Sequence, residues 1–389
     1  MPRDELRQPL RKRSPAERLW AKRPGALPAA SLLALTVFLA GGIWLSRLPH
    51  PFAGEPIYTA AIPPPEELKT SSISETAPAA DDGAEAIAEA ELPPELPPEP
   101  AQEPKAYQNE ASIIMAAHRP LKPAPVPAVT EPTPSGPLPR ISANGRKPSD
   151  VYAQVTPMAV LTSGRPKIAI LLGGMGLNAK LTQKAINDLP GDISFGFAPY
   201  GQSLQADVNA ARAKGHEVML QLPMEPVGYP GTNPGPRTLL ADSTAEENLT
   251  SLHWLMSRFA GFTGITNYMG GRFLASPEAL SPVMAELKKR GLVYLEDATV
   301  SISATPAAAK AAGLPMRRAS IVIDAAPDAA SIADALAQLE KEAETNGYAV
   351  GTGAGLEVTI DTLVDWAKDL QKKGILLVPV SAVYKGNMG

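Results

Sequence analysis

From about Arg165 onward, short apolar runs alternate with stretches of helical period. One junction recurs four times. "ARAKGHEVMLQ", "ELKKRGLVYLE", "ETNGYAVGTG" and "LQKKGILLVPV" each place Lys, Arg or Asn in a last helical turn, then Gly, then an apolar run. A cation near the helix C-terminus and Gly just past it make the usual helix stop. A strand that starts within two residues leaves a short αβ loop, and repeated units of this kind build a largely parallel sheet. The predicted strands are Lys167–Leu172, Ile193–Ala198, Glu217–Leu222, Gly264–Asn267, Val293–Glu296, Ile321–Asp324, Ala349–Gly351 and Leu376–Val380. Between them Leu249, Leu252, Met256 and Phe259 share one helical face, as do Ile360, Leu363, Val364, Ala367 and Leu370. Ser243 with Glu246 reads as a capping box, and Ser276-Pro277 as a cap followed by proline at the first helical position. Seven or eight such units predict an α/β fold, a β/α barrel that is complete or one strand short. A doubly wound open sheet is the second architecture.

The rest of the chain has a different texture. Residues 1–23 are basic, and residues 24–46 carry no charge. About 20 apolar residues span a bilayer as a helix, and the positive flank places the N-terminus in the cytoplasm. A cleaved signal peptide would have a shorter apolar core and a small-residue cleavage site, and "PFAGEP" is a poor one. The expectation is an uncleaved single-pass inner-membrane anchor with the C-terminal domain in the periplasm. Residues 47–160 read as a Pro-rich disordered tether, since half of the 42 prolines fall within 51–150. The globular domain is placed at 161–389.

Composition narrows the chemistry. A net charge of −4 gives no reason to expect nucleic acid, and the absence of cysteine removes disulfides, thiolate nucleophiles and Cys-based metal sites. Only four histidines are present. His50 and His118 lie in the tether, His216 precedes a strand, and His253 sits beside a helical apolar stripe. None is placed for a metal or a catalytic triad, and no G-x-S-x-G occurs. The "GGMG" turn after the first strand is a weak phosphate signal, better read as close packing of a turn.

In either architecture the site lies at the C-terminal ends of the strands. The acids there are Glu225, Glu296, Asp297 and Asp324. They are candidates for acid/base work or for holding a hard cation, and equally for helix caps or partners of Arg272, Arg317 and Arg318. Tyr200, Gln221, Asn267 and Tyr268 are candidate ligand-binding residues, with Tyr229 and Trp254 as further aromatic surfaces.

At these same turns the chain resembles the divergent polysaccharide deacetylase family, in its membrane-anchored or exported bacterial branch. The phrases that carry the resemblance are "LPGDISFGFAPYG", "ARAKGHEVMLQLPMEP", "NPGPRTLL", "NYMGGRF", "VMAELKKRGLVYLED" and "LLVPVSAV", spread over Lys167 to Val383. The resemblance implies a barrel of the glycoside hydrolase/deacetylase type. It also implies an ancestral metal, held by an Asp and two His, that activates water against an acetylated amino sugar. The family's first turn reads I-D-D-x-G, whereas here it is Leu172, Gly173, Gly174, Met175 and Gly176. Its site histidines correspond to Gln221, Tyr268 and Thr352. Glu296 and Asp324 match the fifth- and sixth-strand acids, and Glu225 and Asn267 are retained. With acids and histidines lost together, no metal and no cofactor is expected. The implied protein binds a cell-envelope polysaccharide, peptidoglycan among the candidates, without deacetylating it. A non-catalytic protein–protein scaffold for wall-remodelling enzymes and a hydrolase with a carboxylate-only site stay open.

Overall fold

The structure, a computed structural model, describes residues 120–385. The basic segment, the expected membrane span and the tether up to residue 119 lie outside the described residues. Among the described residues, no helix is long and apolar enough to cross a membrane.

The tether expected to continue to residue 160 is instead ordered from residue 120. Thr130–Thr133 (β1) and Gly136–Pro139 (β2) pair antiparallel, and single helical turns follow at Pro148–Val151 and Met158–Leu161. Prolines are tolerated here because a two-stranded ribbon consists of edges and because Pro148 opens a helical turn. The arm is fastened by side chains of the domain. Asn209 accepts from the Ala124 amide at 2.8 Å and donates to its carbonyl at 3.0 Å. The buried Arg212 guanidinium donates to the carbonyls of Lys122 at 2.8 Å, Tyr152 at 2.9 Å and Gly261 at 3.2 Å. Composition reads such a segment as a spacer because its backbone partners lie elsewhere in the chain.

The domain then alternates strand and helix. In order these are Lys167–Met175 (β3), Ala179–Asp188 (α1), Ser194–Phe197 (β4), Leu204–Ala213 (α2), Val218–Met224 (β5), Ala245–Met256 (α3), Gly264–Met269 (β6), Pro277–Lys289 (α4) and Val293–Glu296 (β7). Thr305–Ala312 (α5), Met316–Arg318 (β8), Ile321–Val322 (β9), Ala329–Asn346 (α6), Tyr348–Ala354 (β10), Glu357–Leu370 (α7) and Leu376–Leu377 (β11) complete it. The strands form one parallel sheet in the order β8-β7-β6-β5-β4-β3-β10-β9, with β11 beside the start of β3.

The sheet curls until its two edges are joined by chain. β8 and β9 are separated by Ala319 and Ser320 alone. The Ala319 amide donates to the Glu296 carbonyl of β7 at 2.8 Å, and the Ser320 amide to the Val350 carbonyl of β10 at 2.7 Å. One broken strand therefore bridges both edges, which gives the expected β/α barrel and not the open doubly wound sheet. β8 was not foreseen, since "MRR" shows no apolar run, and the strand expected at Ile321–Asp324 shortens to Ile321–Val322.

Side chains alternate as strand geometry requires. Ile168, Ile170 and Leu172 of β3 pack outward under the helices, whereas Ala169 and Leu171 face the barrel interior. The interior cluster is closed at the N-terminal end by the 3₁₀ turn Val380–Tyr384, which contributes Val380, Ala382 and Val383. The buried Glu217 carboxylate ties that end together, accepting from the Gln154 amide at 2.6 Å and the Ser381 amide at 2.9 Å.

Candidate functional site

β3 runs three residues beyond its expected end. Gly173 and Gly174 belong to the strand, and a register shift between Leu172 and Met175 marks a bulge against β4. Gly174 has φ +77°, which L side chains rarely adopt. A Cβ at Gly173 would stand 2.6 Å from Gln221 Nε2, and the Gly174 amide donates to Gln221 Oε1 at 2.9 Å. A Cβ at Gly176 would meet Leu204 at 2.8 Å. Close packing thus explains Gly173 and Gly176. The space beside Gly173, where a longer side chain would project, is filled by the amide of Gln221 from the neighbouring part of the barrel.

The four candidate carboxylates do not converge. Glu225, at the end of β5, is buried; it pairs with Arg272 and accepts from the Ala241 amide at 2.7 Å. Glu296 is fully buried. Its Oε2 accepts from the Ser303 hydroxyl at 2.5 Å, while Oε1 lies 3.3 Å from Arg318 Nε but outside hydrogen-bond geometry. Asp297 Oδ1 accepts from Asn267 Nδ2 at 2.8 Å, the Thr299 amide at 3.1 Å and the Thr299 hydroxyl at 2.5 Å. Asp324 Oδ2 accepts from the Ala354 amide at 2.7 Å and the Thr359 hydroxyl at 2.9 Å. Burial pushes both aspartates above their ordinary range, against the pull of these donors. Glu225 and Glu296 thus stand beside arginines, whereas Asp297 and Asp324 are held by amide and hydroxyl donors. Arg272 and Arg318 are used as foreseen, while Arg317 donates to the Val383 carbonyl at 3.0 Å.

The expected ligand-binding residues divide by phase along their strands. Asn267 shares the helix-facing phase of β6 with Ile265 and is fully buried. Its Nδ2 donates to the Met269 carbonyl at 2.9 Å as well as to Asp297, and its Oδ1 accepts from the Asp297 amide at 2.9 Å. It braces β6 against β7. Tyr268, one residue on, is 39% exposed at the barrel mouth. Tyr200 is partly buried and donates to the Pro236 carbonyl at 2.8 Å, holding the loop after β5. Burial, with the Tyr268 phenol nearby, raises its pKa. Gln221 is half-buried, with Oε1 committed to Gly174. Tyr229 is half-buried in the loop after β5, and Trp254 packs at the edge of the outer core with the Arg258 guanidinium 4.9 Å from its ring centre.

One residue was missed. Thr266, in register with Gln221 across β5 and β6, is buried with an unpartnered hydroxyl, as is Thr352 of β10. Thr352 had been noted as a replaced ligand position, but Thr266 could have been found only by alternating outward from Ile265. Met269, just past the mouth, adopts φ 59°, a strained left-handed conformation for a non-glycine residue. Both described histidines lie off the site. His216 is buried, stacked 4.1 Å from Phe195 and bonded to the Ile193 carbonyl at 2.8 Å, and His253 pairs with Glu286 at 2.7 Å. Burial lowers the His216 pKa, which favours its neutral form.

The donor set does not fit the metal of the wider superfamily. Among the described residues no three His, Cys, Asp or Glu side chains are grouped so as to hold a metal ion. Gln221 and Thr352 offer neutral oxygens where imidazole nitrogens would be needed.

Residues 170–384 match the family model described as divergent polysaccharide deacetylase. An uncharacterized protein of Agrobacterium tumefaciens C58, known by crystal structure, is 42% identical and superposes with a TM-score of 0.62. The match covers 64% of this chain and 99% of that one. An uncharacterized protein of Haemophilus influenzae is 24% identical over 197 residues, 51% of this chain and 69% of that protein. The uncharacterized protein YibQ of Escherichia coli K12 is 22% identical over 217 residues, 56% of this chain and 67% of YibQ.

Proposed function

The chain belongs to the divergent polysaccharide deacetylase family, and from that premise we propose that it recognises a cell-envelope polysaccharide without deacetylating it. On this reading the barrel is held at the periplasmic face of the inner membrane by the N-terminal span. The observation that carries the proposal is the Gln221 amide, which fills the space beside Gly173 and is fastened to the Gly174 backbone. The carboxylates support it in the same sense, since Glu225 and Glu296 are matched by Arg272 and Arg318. What remains at the mouth is neutral and amphipathic: the Gln221 Nε2 donor, the Tyr268 ring, and the hydroxyls of Thr266 and Thr352. A few oriented polar groups beside an aromatic surface suit a sugar.

The test is binding of the full chain to cell-wall polysaccharide in EDTA, with acetate release followed in parallel. Binding should persist, fall on Tyr268→Ala, and yield no acetate. Acetate release that EDTA abolishes would overturn the proposal. A second reading rests on Asp297, a mostly buried carboxyl with a raised pKa at a strand end, which is the state a general acid needs. EDTA-resistant hydrolysis that is lost in Asp297→Asn would favour it.

A further inference from the structure

The opposite, N-terminal end of the barrel carries a cavity of about 220 Å³ that the proposed sugar site does not use. Its walls come mainly from three separate stretches of chain, the arm around Lys147–Asp150, the end of α4 with the turn into β7, and the closing 3₁₀ turn with Lys385, and Thr263 and Pro315 complete them. Each stretch brings one lysine to the cavity, Lys147, Lys288 and Lys385. Among the described residues no ion pair or side-chain hydrogen bond engages any of the three ammonium groups. The facing acids are few. Asp150 lies on the wall, and Glu217 is buried behind Ser381, where burial favours its uncharged form. The Ser149 side chain also lines the cavity; its backbone amide is already committed to the Gly291 carbonyl at 3.2 Å.

We infer that this cleft binds a phosphate group. Lysines from separate segments line one cleft with no carboxylate among the described residues paired to them, and ammonium groups with a hydroxyl donor suit a compact tetrahedral oxyanion. The volume admits more than the bare ion, since one water takes about 30 Å³ of liquid. A phosphate that carries a small alcohol therefore fits. Two sources share this chemistry: a soluble phosphate ester and the headgroup of an anionic phospholipid. The second rests on the membrane anchoring proposed above, since the described arm begins at this end, where the Leu121 amide meets the Arg212 carbonyl at the close of α2.

Lysine acylation read by mass spectrometry on the full chain tests the inference. Inorganic phosphate, glycerol phosphate, and bilayers with and without phosphatidylglycerol serve as probes, with Lys180 and Lys341 as exposed controls. Acylation of Lys147, Lys288 and Lys385 should slow about tenfold once a probe exceeds its Kd by roughly that factor, with the controls unchanged. Protection by the soluble anions assigns a free phosphate ester, and protection only in phosphatidylglycerol bilayers assigns the headgroup. In the Lys147→Gln/Lys288→Gln variant the protection at Lys385 should disappear. Absence of protection by every probe, or equal slowing at Lys180 and Lys341, would overturn the inference.

Discussion

At the scale of single residues, the replacement at the first turn is a matter of volume. Gly173 and Gln221 occupy one space, so each limits what the other position tolerates. Gly173→Ala puts a methyl group 2.6 Å from Gln221 Nε2, and relief requires the amide to leave the Gly174 N–H. We expect a loss of about 1–2 kcal/mol in urea unfolding, the scale of one hydrogen bond with modest overpacking. In a Gln221→Ala background the same change should cost much less. Equal costs in the two backgrounds would show that the residues are not coupled. Asp324 gives a second expectation. Burial raises its pKa above the ordinary 3.8, so the folded state binds the proton more tightly than the unfolded chain does. Its contribution is fully present below the unfolded pKa and is lost as pH rises through the folded one. Asp324→Asn should flatten the decline in stability between about pH 4 and neutrality. A wild-type stability that rises over that window relative to the variant would contradict the sign.

At the scale of elements, the glycine-stopped helices and their following strands were legible because each rests on local chemistry. Ser276 caps α4 as read, its hydroxyl accepting from the Ala279 amide at 3.3 Å. The cap of α3 was misplaced by one residue. Thr244 accepts from the Glu247 amide at 3.2 Å, and Glu247 accepts in return from the Thr244 amide at 2.9 Å. "DSTAEE" offers two overlapping S/T-x-x-E frames, and spacing cannot choose between them. Thr244→Ala should therefore cost about 1 kcal/mol of stability and Ser243→Ala distinctly less. Chemical denaturation of the two variants decides. The positions of the candidate side chains at the strand ends were legible, but the side-chain partners of the acids were not. "LED" at the end of β7 gives no sign that Glu296 turns to Ser303 and Arg318 while Asp297 turns to Asn267 and Thr299. That division depends on a strand twist and on loops contributed from elsewhere. β8 was hidden for a related reason, since it is held by the edge of β7 and not by an apolar run of its own.

At the scale of the whole molecule, the arm changes what counts as the domain. Residues 120–160 supply partners to groups that are otherwise buried without them. The Arg212 guanidinium is almost fully buried, and two of its three carbonyl acceptors, at Lys122 and Tyr152, belong to the arm. The Tyr152 ring lies 5.0 Å from the same guanidinium, and the Gln154 amide meets the buried Glu217. Removal of one partner of a buried charge costs several kcal/mol, about 3–5 where the charge stays dry. A chain beginning at residue 161 leaves the Arg212 guanidinium short of partners, takes the Gln154 amide away from the Glu217 carboxyl and uncovers the face of α2. It should unfold at markedly lower urea than one beginning at residue 119, or fail to unfold cooperatively. Arg212→Met in the longer chain separates charge from coverage. It keeps much of the apolar stem and removes the donors, so the arm should loosen while the barrel stays folded. Hydrogen exchange would then rise at the Leu121 amide, which donates to the Arg212 carbonyl, and at the Ala124 amide held by Asn209, with β3 and β5 still protected. If the shorter chain proves as stable as the longer one, the arm is a passenger on the barrel and the boundary first expected at residue 160 stands.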